Sequence, residues 1–531
     1  MSQTPDDQID ETFEWDVPDA FDFSADVVDR WAQDPTRLAL IAVDAAGIEV
    51  RYTYADIADA AARLANLLSA NGLRQGDRIV VMLPRIAEWQ IAMVAATRIG
   101  AVPIPCITML TASDLAYRVE HSGAVGVICP ADECPKFADI HLTVKVAVGD
   151  APDGWVSMAD SDQHSSEHEP ARVSTDDPAI LYYTSGSTGS PKGVTLAARS
   201  LWAWPNSAIH WLSLNPDERI WCTADTGWSK AGTSILFGPW SQGASVLFYN
   251  GPFLPAERFA LLERFEVTCF CAAATELRRL ILEDASGYDL SKLRSTVSAG
   301  ESVNPEIIDR WHGITGTTVL DGYGQTETLM TVTNRQGRPV KAGSMGRALP
   351  GVTIAVRTAD ETDDDLAEAQ GAGELLIRLP NPQVMVGYWS DPDRTEASRV
   401  TADGSDWFAT GDNVEIDEDG YVFYTGRADD IISSASYRIG PQEVENALLR
   451  HPAVQECAVV GVPDPDRGEI VKAWVVLADG YGAGDDLVTE LQTHTKETTA
   501  PYKYPRAIGF ANELPKTVTG KLRRNLMREW G

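Results

Sequence analysis

The stretch that decides the reading is Tyr182-Tyr183-Thr184-Ser185-Gly186-Ser187-Thr188-Gly189-Ser190-Pro191-Lys192-Gly193. It follows a short apolar run of strand character, Ala179 to Tyr183, and a helix is expected after Ser200. Gly186, Gly189 and Gly193 allow tight turns and close backbone approach to an anion. Thr184, Ser185, Ser187 and Thr188 offer hydroxyls and Lys192 offers a positive charge, so the loop has the makings of a phosphate cradle. The Walker pattern G-x-x-x-x-G-K-[ST] does not fit, because no Gly directly precedes Lys192. A flexible Gly/Ser linker is the bland alternative, but a linker needs neither a lysine nor a row of hydroxyls.

Outward from this loop, strand-like runs alternate with helical periods. Tyr54 to Asn71 and Glu88 to Ile99 carry helical spacing, and Arg78 to Leu83 and Ala101 to Ile107 read as strands. Such βα alternation argues for parallel-rich sheets covered by helices. Val352 to Ile377 differs: short strands flank an acidic turn, Glu361 to Glu368, and suggest a small β-subdomain. After Gly426 the chain reads as helix (Pro441 to Leu449), strand (Val454 to Val460), strand (Ile470 to Leu477), helix (Asp485 to Thr499) and strand (Ala507 to Phe510). The expected class is α/β, with a large N-terminal domain over 21–426 and a small α+β C-terminal domain over 427–531. A length of 531 residues exceeds one hydrophobic core and agrees with this division. Residues 1–20 are polar and acidic, and are expected to be disordered.

The balance of 44 Lys and Arg against 77 Asp and Glu gives a net charge of −33, which repels nucleic acid and anionic membrane. No apolar run is long enough for a membrane span. The cysteines at 106, 129, 134, 222, 269, 271 and 457 form no CxxC pair, and several sit in apolar runs, so they read as reduced core thiols. The histidines show no metal-ligand spacing, which argues against structural zinc. The N-terminus, MSQTPDDQIDETFEWD, lacks an apolar signal core and the arginines of a transit peptide, so a cytoplasmic location is expected. Whether the chain forms a homo-oligomer is left open.

Further motifs follow the loop. Ser298-Ala299-Gly300-Glu301 closes one strand-like run. Asp321-Gly322-Tyr323-Gly324-Gln325-Thr326-Glu327 ends in a carboxylate that tolerates phosphate oxygens only with a cation between them. Trp407-Phe408-Ala409-Thr410-Gly411-Asp412 ends in acceptor-only oxygens that suit a vicinal diol. Gly426-Arg427-Ala428-Asp429-Asp430 opens the small domain, and Pro515-Lys516-Thr517-Val518-Thr519-Gly520-Lys521 sets a lysine in a Gly/Thr turn. Singly, several of these pass for ordinary turns or surface charge. Their number and order argue otherwise.

Together they resemble the acyl-adenylate-forming superfamily of acyl-CoA synthetases, luciferases and peptide-synthetase adenylation domains, from Phe21 to Trp530. Similarity to the medium-chain acyl-CoA synthetases is carried by Ala224-Asp225-Thr226-Gly227-Trp228-Ser229-Lys230, Gly238-Pro239-Trp240, Arg438-Ile439-Gly440-Pro441, Pro463 to Glu469 and Ala500 to Pro505. The resemblance implies that Thr184, Ser185, Gly186, Ser187, Thr188, Gly189 and Lys192 hold the phosphates of ATP. It implies that Gly300, Glu301, Asp321, Gly322, Tyr323, Gly324, Gln325 and Thr326 line the nucleotide, with Tyr323 on adenine and Thr326 at the α-phosphate. Asp412 and Arg427 would reach the ribose, and Glu327 would hold Mg2+. Lys521, Glu327 and Lys192 are the implied catalytic residues, and Asp429 is the implied hinge of a mobile C-terminal domain.

By the same resemblance Ala435, Ser436, Tyr437, Arg438, Arg467, Lys496 and Tyr504 contact coenzyme A, and Trp221, Trp228 and Trp240 line an acyl pocket for a short-chain, medium-chain or aromatic acid. The implied activity is an AMP-forming carboxylate–CoA ligase using ATP, Mg2+ and coenzyme A. One departure stands out. The family reads Ser-Ser-Gly-Tyr-Arg-Ile-Gly where this chain has Ser433-Ser434-Ala435-Ser436-Tyr437-Arg438-Ile439-Gly440, so Ser436 replaces the tunnel glycine. An adenylating enzyme with an amine acceptor is the alternative that this substitution keeps open.

Overall fold

The computed structural model describes residues 13–184, 191–301, 303–357, 370–402, 404–427, 430, 432–434, 437–464, 467–499, 501–516 and 522–530. By packing, the chain falls into two compact units, Met1–Thr353 with Leu379–Arg399, and Ile354–Arg378 with Val400–Gly531.

The first unit holds three sheets. The largest has nine strands, in the order Arg347–Ala348, Leu329–Thr333, Val319–Gln325, Ser295–Ala299, Cys269–Cys271, Arg219–Cys222, Ser245–Asn250, Leu38–Asp44 and Glu49–Thr53. From Val319–Gln325 to Leu38–Asp44 the strands run parallel, and the outer ones are antiparallel. Parallel strands are covered on both faces, which is why these read as continuous apolar runs. Trp221, Phe270, Phe259 and Trp311 belong to one core cluster here. A second, parallel sheet joins Val102–Pro105, Arg78–Val81, Gly126–Pro130, Val144–Val148 and Val156–Ser157. The helix Tyr54–Ala70 starts where expected, because the Thr53 hydroxyl accepts from Asp56 N while the Asp56 carboxylate accepts from Thr53 N.

The third sheet carries the phosphate loop and differs from the sequence reading. Its strands are Gly387–Tyr388, Lys192–Ala197 and Pro178–Thr184. Pro178–Thr184 pairs antiparallel with Lys192–Ala197, Thr184 lying opposite Lys192, and a helix follows that second strand from Ala198. The loop therefore joins two hairpin strands rather than a strand and a helix. Buried Val194, Thr195 and Leu196 favour the extended form.

A second correction concerns the N-terminus. Of the stretch expected to be disordered, residues 13–20 lie against the fold: Trp15 Nε1 donates to Gly351 O at 2.8 Å, and its ring meets Trp202 edge-on at 5.9 Å. Two aromatic rings outweigh the acidic composition there. The seven cysteines are buried, and none of them forms a disulfide.

The second unit holds two sheets. One includes Ile354–Arg357, Gly371–Arg378, Ser405–Ile416 and Val422–Arg427, so the expected β-subdomain contributes two strands to a larger sheet. Its acidic turn lies outside the described residues. The other has the order Tyr437–Ile439, Ile432–Ser434, Gly468–Leu477 and Val454–Asp464, with Ala507–Phe510 parallel to Gly468–Leu477. Helices Pro441–Leu448 and Asp485–Thr498 cover it, around Val444, Leu448, Val459, Val471 and Leu491. Grouping by packing is a separate matter from the 426/427 division, which concerns the segment that rotates. Asp429 lies outside the described residues.

Candidate active site

The two ends of the phosphate loop are fixed by the helix Ala112–Ser122. Tyr117 OH donates to Pro191 O at 2.9 Å, and His121 Nδ1 lies 2.8 Å from Tyr183 OH. Burial pushes the Tyr183 phenol well up, so it keeps its proton; it also donates to Arg118 O at 3.4 Å, and the imidazole tautomer sets which partner donates in the His121 contact. The Thr184 hydroxyl is buried and has no hydrogen-bond partner among the described residues. A buried hydroxyl without a partner is costly, so this one has an unmet demand for a hydrogen bond. Ser185, Gly186, Ser187, Thr188 and Gly189 lie outside the described residues.

Lys192, Glu327 and Tyr388 form a triangle. Lys192 Nζ stands 2.7 Å from Glu327 Oε1, with the side chains 22% and 9% exposed. Tyr388 OH accepts from Lys192 at 2.9 Å and donates to Glu327 Oε1 at 3.1 Å, and the Lys192 ammonium sits 4.6 Å from the centre of the Tyr388 ring. The two charges thus neutralise each other around a phenol that can hold either one. Backbone pairing places them: Tyr388 lies opposite Val194, and Met385 N donates to Glu327 O at 2.7 Å. Sequence reasoning missed Tyr388. Only Gly387-Tyr388 just before a Pro-Asp-Arg-Thr helix start hinted at it.

The Asp321-Gly322-Tyr323-Gly324-Gln325-Thr326-Glu327 motif begins inside the Val319–Gln325 strand and runs past its end. Gly324 is obligatory, since a Cβ there would stand 1.9 Å from Leu329 O, and Gly322 is closed by Met330 and Trp211. Asp321 is buried, and desolvation pushes its carboxyl up to about 7, against the amides of Val303 and Gly322. Tyr323 is also buried. Gln325 N donates to Thr328 Oγ1 at 3.0 Å, and Thr326 Oγ1 lies 3.0 Å from Ser229 Oγ. Gly300 takes φ +92° with open space where a Cβ would be, so conformation demands glycine there. Glu301 accepts from Thr275 N at 3.2 Å.

The three tryptophans do not gather. Trp221 is buried in the nine-stranded sheet beside Phe270. Trp240 is fully buried, its Nε1 donating to Ala39 O at 3.2 Å. Trp228 alone is half-buried, against a separate cluster that includes Ile107, Leu115 and Leu181.

Within the second unit, Asp412 is buried and pairs with Arg427 Nη1 at 3.4 Å across adjacent strands. Lys496 Nζ sits 4.0 Å from the Tyr504 ring centre, and Arg506, which sequence reasoning missed, stacks on that ring at 5.0 Å. Arg467 Nε donates to Ser434 Oγ at 3.4 Å. Tyr437 and Arg438 are placed on a strand by backbone alone. Ala435, Ser436 and Lys521 lie outside the described residues. Among the described residues the arrangement offers an ion-paired lysine and carboxylate in one unit, and a buried carboxylate and a basic–aromatic cluster in the other.

Comparison with known proteins fits these parts. The model of the AMP-binding enzyme family matches residues 27–389, and that of the AMP-binding enzyme C-terminal domain matches 443–521. The chain belongs to the AMP-binding enzyme family. It is similar to the mitochondrial acyl-coenzyme A synthetase ACSM3 of Pongo abelii, 38% identical over 98% of this chain and 91% of that protein. It is also similar to the human mitochondrial acyl-coenzyme A synthetase ACSM5, 38% identical over 97% of this chain and 92% of that one. Among solved structures it is similar to the anthranilate CoA ligase AuaEII in complex with anthranoyl-AMP, with a TM-score of 0.86, 29% identity and coverage of 97% and 98%. A benzoate CoA ligase from Burkholderia xenovorans LB400 gives a TM-score of 0.83 at 27% identity, covering 96% of this chain and 100% of that one.

The particular activity follows: this chain is an AMP-forming carboxylate–CoA ligase that uses ATP and coenzyme A. The amine-acceptor alternative is not favoured. The expected cytoplasmic location is withdrawn, because these relatives are mitochondrial. An N-terminus poor in arginine does not decide the compartment. Among the described residues, no helix is long and apolar enough to cross a membrane.

Proposed function

We propose that the acid is a short-chain, medium-chain or aromatic carboxylate, activated in two half-reactions. In the first, a carboxylate oxygen bonds to the α-phosphorus of ATP while the bond to the bridging β-oxygen breaks, giving acyl-adenylate and pyrophosphate. In the second, the CoA thiol gives up its proton and its sulfur bonds to the acyl carbon, and AMP leaves. Such phosphoryl chemistry asks the protein for position and charge rather than covalent steps. The observation that carries the first half-reaction is the Lys192–Glu327–Tyr388 triangle.

Lys192 and the loop hydroxyls hold the departing phosphates, and Thr326 faces the α-phosphate. Lys521 offsets charge on the α-phosphate and acyl oxygen. Asp412 and Arg427 hold the ribose, Asp429 is the hinge, and Lys496, Tyr504, Arg467 and the 435–438 segment take coenzyme A. Trp228 walls the acid.

Among the described residues no group of three or more His, Cys, Asp or Glu could hold a metal by itself. Magnesium needs none, since it binds through one or two carboxylates together with substrate phosphates. Glu327, freed from Lys192, suits that donor set. When bound, Mg2+ supplies charge neutralisation at the phosphate oxygens.

A panel of straight-chain and aromatic acids, scored for pyrophosphate release with and without CoA, tests the reading. A preferred small or aromatic acid whose turnover needs CoA is expected. Single-turnover transfer to CoA should quicken in Ser436→Gly, because Ser adds a Cβ to the tunnel wall, while adenylation is unchanged. Release without any CoA-dependent turnover, in the wild type and in Ser436→Gly, would overturn it.

A further inference from the structure

The segment Ala224-Asp225-Thr226-Gly227-Trp228-Ser229-Lys230 links the Arg219–Cys222 strand to the short helix Ser229–Ser234. It is tied down repeatedly. Thr226 Oγ1 donates to Leu83 O at 2.6 Å. Gly227 lies so close to neighbouring backbone that a Cβ would stand 2.5 Å from Ile107 N. Trp228 then packs against the cluster that includes Ile107 and Leu181.

The next two residues reach in the other direction. Ser229 Oγ is 3.0 Å from Thr326 Oγ1, in the 321–327 motif. Lys230 Nζ donates to Ala299 O at 3.1 Å, the carbonyl just before Gly300. Lys230 is half-buried, and carboxylates come to it from three elements: Glu276, which is held by Arg258 at 2.9 Å, Glu301 and Asp321. Burial pushes its pKa down, but the neighbouring Cys271 and Cys222 sulfurs and the Glu301 and Glu276 carboxylates outweigh this and hold it above the usual value. The ammonium is therefore a fixed positive charge among acids, next to a strand end implied to face an anionic ligand.

We propose that Ser229 and Lys230 are positioning residues for the nucleotide, fixing Thr326 and the Ala299–Gly300 strand end to the segment that bears the acid-side Trp228. Lys230 also offsets the carboxylates around it, which would otherwise repel ATP. Adjacent residues thus divide the work: 228 meets the acid, 229 and 230 set the nucleotide platform. This rests on the reading above that Thr326 and Gly300 lie along ATP.

The test uses the full-length enzyme. ATP binding without acid is measured by calorimetry, and KM for ATP and for the acid by ATP–pyrophosphate exchange, in Lys230→Met, Lys230→Arg and Ser229→Ala. Losing one charge-assisted hydrogen bond is worth roughly tenfold or more. Lys230→Met should therefore weaken ATP binding and raise KM for ATP by about that factor, with KM for the acid little changed. Added salt should leave the defect nearly unchanged, because Glu276, Glu301 and Asp321 are buried or half-buried and such charges are screened little. Lys230→Arg should restore most of the affinity, and Ser229→Ala should cost ATP roughly threefold, less than a neutral hydrogen bond at full value. Unchanged ATP affinity in Lys230→Met and Ser229→Ala, or equal losses for ATP and acid, would overturn the proposal. If Lys230→Met does not fold, the Arg and Ala variants still decide it by the same readings. Wild-type enzyme that binds no ATP at all would instead sink the assignment of the nucleotide segments.

Discussion

Replacing Asp321 by Asn should change the pH dependence of stability in a defined window. The carboxyl is 7% exposed, and burial lifts its pKa from 3.8 to about 7. The amides of Val303 at 3.5 Å and Gly322 at 3.0 Å, with Lys230, pull the other way and do not win. The unfolded chain releases this proton near its ordinary value, whereas the folded protein keeps it up to about pH 7. The native state thus binds more protons between about pH 4 and pH 7, and the stability this group confers is full below that window and is lost as pH rises through it. A shift of roughly three units corresponds to about 4 kcal/mol at about 1.4 kcal/mol per unit. Asn cannot ionise and keeps one acceptor for the two amides. The stability of Asp321→Asn relative to wild type should therefore grow by up to about 4 kcal/mol across the window and then level off. Thermal or urea melts of both proteins from about pH 4 to pH 8 measure it. A difference that stays constant over that range would refute the argument.

Three further outcomes are expected. Tyr388→Phe removes a phenol bonded to both Lys192 and Glu327, and should raise KM for ATP by roughly tenfold, the worth of a hydrogen bond to a charged group, while the melting curve moves little; pyrophosphate exchange reads it. Trp228→Ala should shift kcat/KM toward larger acids across an acyl-length series, because it removes an indole from the wall. An unchanged profile would return Trp228 to the core. Lys521→Ala should cripple acyl-adenylate formation yet spare thioester formation from supplied acyl-adenylate, and equal losses in the two half-reactions would contradict its role.

Lys192 and Glu327 could be singled out because each motif carries its chemistry locally, a lysine after a hydroxyl row and a carboxylate after glycines, and the structure sets the two 2.7 Å apart. The helix at Tyr54 and the elements after Gly426 were legible from periodicity. The strand after the phosphate loop was not, since Val194 to Leu196 is too short to declare a period. Nor was Tyr388, whose role arises from pairing between strands far apart in sequence. Tryptophan content cannot separate a pocket wall from a core, and so Trp221 and Trp240, both buried, were grouped with Trp228. At the N-terminus, the acidic average hid two rings, Phe13 and Trp15, that hold the chain down.

The Gly387–Tyr388 strand covers the outer edge of the hairpin that bears the phosphate loop, and Tyr388 lies 196 residues beyond Lys192. On the ribosome that distance is time. At about 5–20 residues per second, roughly 10 to 40 s separate the synthesis of Lys192 from that of its phenol partner. Through that interval the Lys192–Ala197 strand shows unpaired amides and carbonyls, the kind of edge that invites pairing with another chain. The nascent enzyme therefore passes through a stage in which its nucleotide hairpin is exposed to chaperones and to neighbouring nascent copies. A pause in translation before residue 388 would lengthen that stage, and aggregation would rise with no change in the finished fold.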